Sequence, residues 1–184
     1  MTPLEITANL VTALCIILAG RNNVHTWWTG IVGCILFGWL FYGSQLYADA
    51  TLQIFFVGTG IIGWRRWVHG HDGGSMPIRR THARALLLMA TAGLLVAAGY
   101  GWLLHRFTNA FAPVPDSLVL VFSVIAQLLL MDRRLESWHG WLIVNTISVP
   151  LYFHRGLYLT AGFYTVFWVN ALVSLLHWRR LMKA

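Results

Sequence analysis

Residues 85–104 read ALLLMATAGLLVAAGYGWLL, twenty positions without a charge. The hydrocarbon core of a bilayer accepts a helix of about 20 apolar residues, so this stretch reads as a membrane span. The rest of the 184-residue chain is of the same kind. It is 58% hydrophobic and 10% charged, against about 25% charged in an ordinary soluble domain. A soluble fold of this size must leave much of its surface to water. A soluble enzyme, a nucleic-acid binder and a disordered tail are thereby excluded, and the class is an all-α integral membrane protein.

Working outward from 85–104, six further apolar segments appear: Ile6–Gly20, Trp27–Gly43, Leu46–Trp64, Ser117–Met131, Ser137–Phe153 and Leu157–His177. The first, fifth and sixth spans are short, so they either extend past these limits or sit in a thinned or wet region. The formal charge of +7 comes from 13 Lys and Arg against 6 Asp and Glu. Placing the N-terminus outside puts eleven of the basic residues on the cytoplasmic side and only Arg106 and Arg155 on the other. That distribution predicts seven spans with the C-terminus inside. Cys15 and Cys34 fall inside apolar segments and read as packing residues, and the N-terminal MTPLEITANL lacks the basic region of a cleavable signal.

The chain repeats itself. Trp28-Thr29-Gly30 matches Trp138-His139-Gly140 and Tyr42 matches Tyr152, at an offset of 110. After a one-residue slip, Leu46-Tyr47, Ala50, Phe56 and Trp67 match Leu157-Tyr158, Ala161, Phe167 and Trp178. Spans one to three therefore resemble spans five to seven, and an odd linker span between them makes the triplets run parallel. The predicted segments are 1–67 (first triplet), 68–84 (basic cytoplasmic loop), 85–104 (linker helix), 105–116 (outer loop) and 117–184 (second triplet and cytoplasmic tail). Parallel repeats are a transporter architecture, with the site expected between the triplets near mid-membrane.

Trp138-x-x-Trp141-x-x-x-Asn145 places two indoles and an amide on one helix face. Indoles offer stacking surfaces and the amide both donors and acceptors, which suits a flat ring bearing an amide or hydroxyls. Trp138, near a span end, reads equally well as an interfacial anchor. Asp49 and Gln53 share a face of span three, and Thr160 and Tyr164 occupy the matching positions of span seven. Intramembrane polar side chains are costly and are functional candidates. Asp49 lies near the outer end, hydrated or paired with Arg155; Asn170 reads as a packing residue or as part of the polar face. Pro150 can kink span six and shape a gate. The histidines cluster in the basic loop or at span ends, and no zinc, nucleophile-elbow or nucleotide-phosphate motif is present. No catalytic residue, cofactor or metal site is assigned.

The strings LYADATLQIFFVGTGIIGWRRW and WHGWLIVNTISVPLYFHRGLYLTAGFYTVF, with the Trp-x-x-Trp of span six and the repeated Leu-Tyr-x-x-Ala, resemble the PnuC family of bacterial nicotinamide riboside transporters. The resemblance covers both triplets. It implies a 3+1+3 arrangement similar to the SWEET carriers, a location in the bacterial inner membrane, and facilitated import of nicotinamide riboside trapped by a cytoplasmic riboside kinase. It implies ligand roles for Gln53, Trp138, Trp141, Asn145 and Tyr164, with Thr160 next; Asp49, Arg155 and Pro150 are placed at the mouth or gate by their positions in the spans. The first triplet departs from the pattern, with Trp28-x-x-Ile31 in place of the indole pair. Lipid-facing and partner-facing apolar surfaces read alike, so a homo-oligomer stays open. So do other cargoes (a vitamin, nucleoside or sugar), a bis-histidine haem redox protein and an assembly factor, though the last leaves the repeated polar faces unexplained. No Arg or Lys lies at mid-span, so a nucleotide phosphate is expected to be rejected.

Overall fold

The computed structural model describes residues 3–43, 47–69, 77–107, 112–154, 156 and 158–183, with the backbone alone at 41 and 47–51. The described residues form seven helices: α1 (Pro3–Gly20), α2 (Thr26–Gly43), α3 (Tyr47–His69), α4 (Ala83–Phe107), α5 (Pro113–Met131), α6 (Ser137–His154) and α7 (Tyr158–Leu181). Of the three short segments, Ile6–Gly20 and Ser117–Met131 gain their missing turn at the N-terminal end, while Ser137–Phe153 gains only His154. Pro3 and Pro113 open α1 and α5, where a missing N–H costs nothing and the fixed φ is already helical. Helices α1, α4, α5 and α7 have the length and apolarity to cross a membrane. Among the described residues that is fewer than the seven spans expected; α3 and α6 carry the polar side chains Gln53, Arg65 and Arg66, and His139, Asn145 and His154.

The chain divides into two compact units. One holds residues 1–78, 131–133 and 176–184; the other holds 79–130 and 134–175. In the first, α2 packs on both α1 and α3. Glycines allow the close approaches: a methyl at Gly33 would lie 2.8 Å from Thr12 Oγ1, and one at Gly63 would lie 2.5 Å from the Trp27 ring. In the second, α4 lies on α5, where a methyl at Gly93 would lie 2.8 Å from Ile125 and one at Gly101 equally near Ser117 Oγ. The segment before α4 is tied to the α5–α6 turn. Arg79 O accepts from Leu135 N, Arg80 O from the Arg134 guanidinium, and Glu136 Oε2 from Thr81 N.

The repeat is written into the turns, in a register that the sequence comparison missed. Asn22 and Arg133 both adopt the left-handed conformation, with φ of 55° and 49°. Asn23 N donates to Leu18 O and Arg134 N to Leu129 O, each at 2.9 Å, the six-to-one bond of a Schellman cap. Trp27 N reaches Val24 O and Trp138 N reaches Leu135 O, both at 3.2 Å. Each later residue number is the earlier one plus 111 (22 and 133, 27 and 138), and the ends of α1 and α5 and both limits of α2 and α6 obey the same offset. No slip is needed. The partner of Trp138 is thus Trp27 and not Trp28. Trp27 and Trp138 are 3% and 2% exposed, whereas Trp28 is 43% exposed and spends its indole N–H on His25 Nδ1. Position 141 accordingly matches Gly30, which corrects the Trp28-x-x-Ile31 alignment.

The same offset governs the centre of the first unit. Trp67 Nε1 donates to Met131 O at 3.2 Å and Trp178 Nε1 to Gly20 O at 3.1 Å. Trp67 stands edge-on to Trp27 (5.3 Å between centroids) and 6.1 Å from Trp178. The buried Arg133 guanidinium lies 4.2 Å above the Trp67 ring, and burial pulls its pKa below the ordinary arginine value. Asp132 pairs with Arg66, but both are nearly half exposed, so this ion pair adds little. Two predictions follow from this packing. Trp67→Phe and Trp178→Phe should each lower stability by about 1 kcal/mol through loss of the indole donor. Trp67→Phe should fall further, because it also weakens the cation–π contact. Thermal unfolding in detergent ranks the two. Gly63→Ala, which forces a methyl into the Trp27 ring, should cost about 1–3 kcal/mol in the same assay.

Candidate functional site

Helix α6 starts where the Ser137 and Trp138 amides close the preceding turn onto Arg134 O and Leu135 O. Its first turn lies against α5, since a methyl at Gly140 would sit 2.8 Å from Ala126 Cβ. That contact fixes the helix rotation, and with it the direction of every later side chain. Positions 138, 141, 145, 148 and 152 are spaced three or four apart and lie on one face. The structure gives that face Trp138 (buried), Trp141 (half-buried), Asn145 (3% exposed), Ser148 (0% exposed) and Tyr152 (half-buried).

Helix α7 supplies the facing group. The Tyr164 ring lies 4.8 Å from that of Tyr152, inclined at 55°, and 5.6 Å from Phe167. On the outer side of the pair, Trp168 Nε1 donates to Thr146 Oγ1 at 3.0 Å, which ties α7 to α6. Thr160 is half-buried on the first turn of α7. Asn170 donates to Ser174 Oγ within α7 at 3.3 Å, which fits the packing reading of that amide. The structure thus brings Trp138, Trp141 and Asn145 onto one face and Tyr164 against the end of it. Sequence reasoning missed Ser148 and Tyr152. Continuing the three-and-four spacing past Asn145 would have found both.

Gln53 belongs to the first unit, where it is half-buried on α3 against Gly38 of α2. The Asp49 side chain and Arg155 lie outside the described residues, as do Leu46 and Leu157 of the repeated Leu-Tyr pairs. Pro150 is inside α6 but off the Trp–Asn face. It lines a cavity of about 440 Å³ with Ala112, Pro115, Ile147, Leu151 and His154. Positions 147, 150 and 154 fall on the opposite side of the helix from 141, 145 and 152. The cavity offers apolar walls and one imidazole, and none of the indole or amide groups.

The α6 face can therefore stack a flat ring and hydrogen-bond its substituents, and it carries no formal charge. Comparisons with known proteins point the same way. At 25% identity the chain is similar to the nicotinamide riboside transporter PnuC of Escherichia coli (strain K12), over 84% of this chain and 76% of that one. It is similar to the PnuC of Neisseria mucosa, also at 25%, over 92% and 69%. It is similar as well to the riboflavin/roseoflavin transporter RibM of Streptomyces davaonensis, at 26% over 95% and 83%. The crystal structure of the vitamin B3 transporter PnuC shares the fold, with a TM-score of 0.77 and 23% identity over 98% of this chain and 82% of that one. The description "nicotinamide mononucleotide transporter" matches residues 2–180, nearly the whole length, and the chain belongs to that family of membrane transporters, the PnuC family.

Proposed function

We propose that the chain imports nicotinamide riboside across the bacterial inner membrane. The observation that carries this reading is the α6 face itself, with Trp138, Trp141 and Asn145 held on one side of a helix whose neighbour presents Tyr164. The nicotinamide ring of the riboside is flat and cationic, and indole faces attract cations. Its carboxamide matches the donor and acceptor pair of Asn145. Gln53, Thr160 and Tyr164 serve as further hydrogen-bonding groups, and Asp49, Arg155 and Pro150 belong to the mouth or gate.

In this reading seven spans form two parallel triplets about a linker helix, with the N-terminus outside and the C-terminus cytoplasmic. The offset of 111 shared by the turns and helix ends supports the triplets. Transport is facilitated diffusion with alternating access. The chain carries no nucleotide-phosphate motif, so net uptake comes from phosphorylation of the riboside by a cytoplasmic kinase. A second cargo, riboflavin, is favoured by one observation: a relative that carries it matches 95% of this chain. Stacking on indoles is tolerant of ring size, so the two cargoes differ chiefly in what the hydrogen-bonding groups meet.

Titration calorimetry on the detergent-purified protein decides between them. Nicotinamide riboside should bind and riboflavin should not; the reverse result discards the riboside and keeps the transporter. Trp141→Ala should weaken riboside binding by about 1–3 kcal/mol, the worth of one stacked ring. Asn145→Ala should weaken it by about 0.5–1.5 kcal/mol. In liposomes the riboside should enter and nicotinamide mononucleotide should not, since α6 holds no Arg or Lys to receive a phosphate. Equal rates for the two would refute the charge argument.

A further inference from the structure

Helical hydroxyls in this chain have a habit from which Ser148 departs. Thr7, Thr29, Thr59, Thr146 and Thr165 each donate to a carbonyl one turn back, at 2.7–3.1 Å. This is the usual way a hydroxyl is satisfied inside a helix. Ser148 Oγ is wholly buried and has no hydrogen-bond partner among the described residues; Ser137 Oγ shares this at the first position of α6, where no preceding turn of that helix lies behind it, whereas Ser148 has such a turn and does not use it. A buried hydroxyl left unpaired is costly, and it survives where a partner arrives in another state.

The repeat sharpens the point. At the offset of 111, Asn145, Ser148 and Tyr152 correspond to Cys34, Phe37 and Phe41 of α2. One copy of the face is apolar at these three levels and the other is polar at all three. A hydroxyl present only for packing has no reason to appear on the copy that also carries the amide and the phenol. Resting on the riboside reading above, we infer that Ser148 is a specificity-determining residue that hydrogen-bonds a ribose hydroxyl of the cargo. With the ring at the level of Trp141 and Asn145, the sugar falls at the next turn, about 4.5 Å along the axis from Asn145. A serine hydroxyl both donates and accepts, as each ribose hydroxyl does. In this structure the Oγ is covered, so the sugar reaches it only as the face opens during alternating access.

The test pairs Ser148→Ala with deoxy analogues of nicotinamide riboside that lack one hydroxyl each, with binding measured by calorimetry and stability by thermal unfolding. Ser148→Ala should leave the melting temperature unchanged or raised, because it removes an unpaired buried hydroxyl. It should weaken the intact riboside about tenfold. One deoxy analogue should lose a similar factor against the wild-type protein and none against Ser148→Ala. The assignment is overturned if the riboside binds Ser148→Ala within twofold of wild type, or if every analogue loses as much against the variant as against wild type. Failure of the wild-type protein to bind the riboside at all is a separate result, which removes the riboside reading and this assignment together. A drop in melting temperature with unchanged affinity marks Ser148 as a packing residue and also overturns it.

Discussion

Two indole N–H groups satisfy two helix ends, and the first unit depends on them. The last carbonyls of a helix have no donor within it, and Gly20 and Met131 are the last residues of α1 and α5. Trp178 from α7 reaches the first and Trp67 from α3 reaches the second. An indole has a donor and no acceptor, so each bond has one direction and one partner. The exchange is crossed, because the end of α1 is capped from α7 and the end of α5 from α3. The turn that follows is then forced. Arg133 sits in the left-handed region, which costs a non-glycine residue about 1–2 kcal/mol. The cation–π contact with Trp67 offsets that cost. At Asn22, where an amide tolerates the same conformation, no such cation is needed.

A repeat held so closely in its turns makes the divergence of its faces informative. Trp27 and Trp138 are both buried at the start of their helices, so both copies keep an indole at this position. Beyond it the copies part. Helix α2 continues with Gly30, Cys34 and Phe37, and α6 with Trp141, Asn145 and Ser148. Gly30 has no side chain where α6 carries the Trp141 indole, and Cys15 Sγ lies only 3.0 Å from where its methyl would be. One copy thus fills its face with tight helix packing. The other leaves an indole half-buried there and carries polar groups beside it.

Much of this was legible in the sequence and some was not. The seven helices and the repeat follow from apolar run lengths and matched residues, as do the α6 indoles and amide. The register of the repeat did not, because Trp27 and Trp28 are adjacent. Residue identity prefers Trp28, whose Gly30 then falls on Gly140, whereas the backbone bonds prefer Trp27. A doublet of identical residues cannot be resolved by matching letters; it is resolved by which indole is buried. The face beyond Asn145 stayed hidden for a different reason. A serine in a span normally disappears into its own helix through a bond to the preceding turn, so its presence in a sequence carries no signal. Only the unmade bond distinguishes Ser148 from Thr146 two residues earlier. The cavity at Pro150 and His154 was also unforeseen, since it depends on residues 112 and 115 meeting α6.

The two ends of α6 are restrained by different kinds of force, and this bears on how its face could open. At the Ser137 end the adjoining turn is held by directional bonds, from Leu135 N and Arg134 Nη1 to the carbonyls of Arg79 and Arg80. Such bonds weaken steeply once their geometry is lost. At the His154 end the contacts are between rings: Phe153 with Tyr158 at 5.1 Å and Tyr152 with Tyr164 at 4.8 Å. Ring pairs are worth about 0.5–1.5 kcal/mol and hold over a range of offsets and tilts, so they slide where a hydrogen bond would break. Gly156 follows with φ of 76°, a left-handed conformation that favours glycine. Under the proposed alternating access, the low-cost motion is therefore a parting of Tyr152 from Tyr164 with the Trp138 end held. In that proposal, cargo entering from the Tyr152 end passes the two phenols first, meets Ser148 and Asn145 next, and reaches the indoles last.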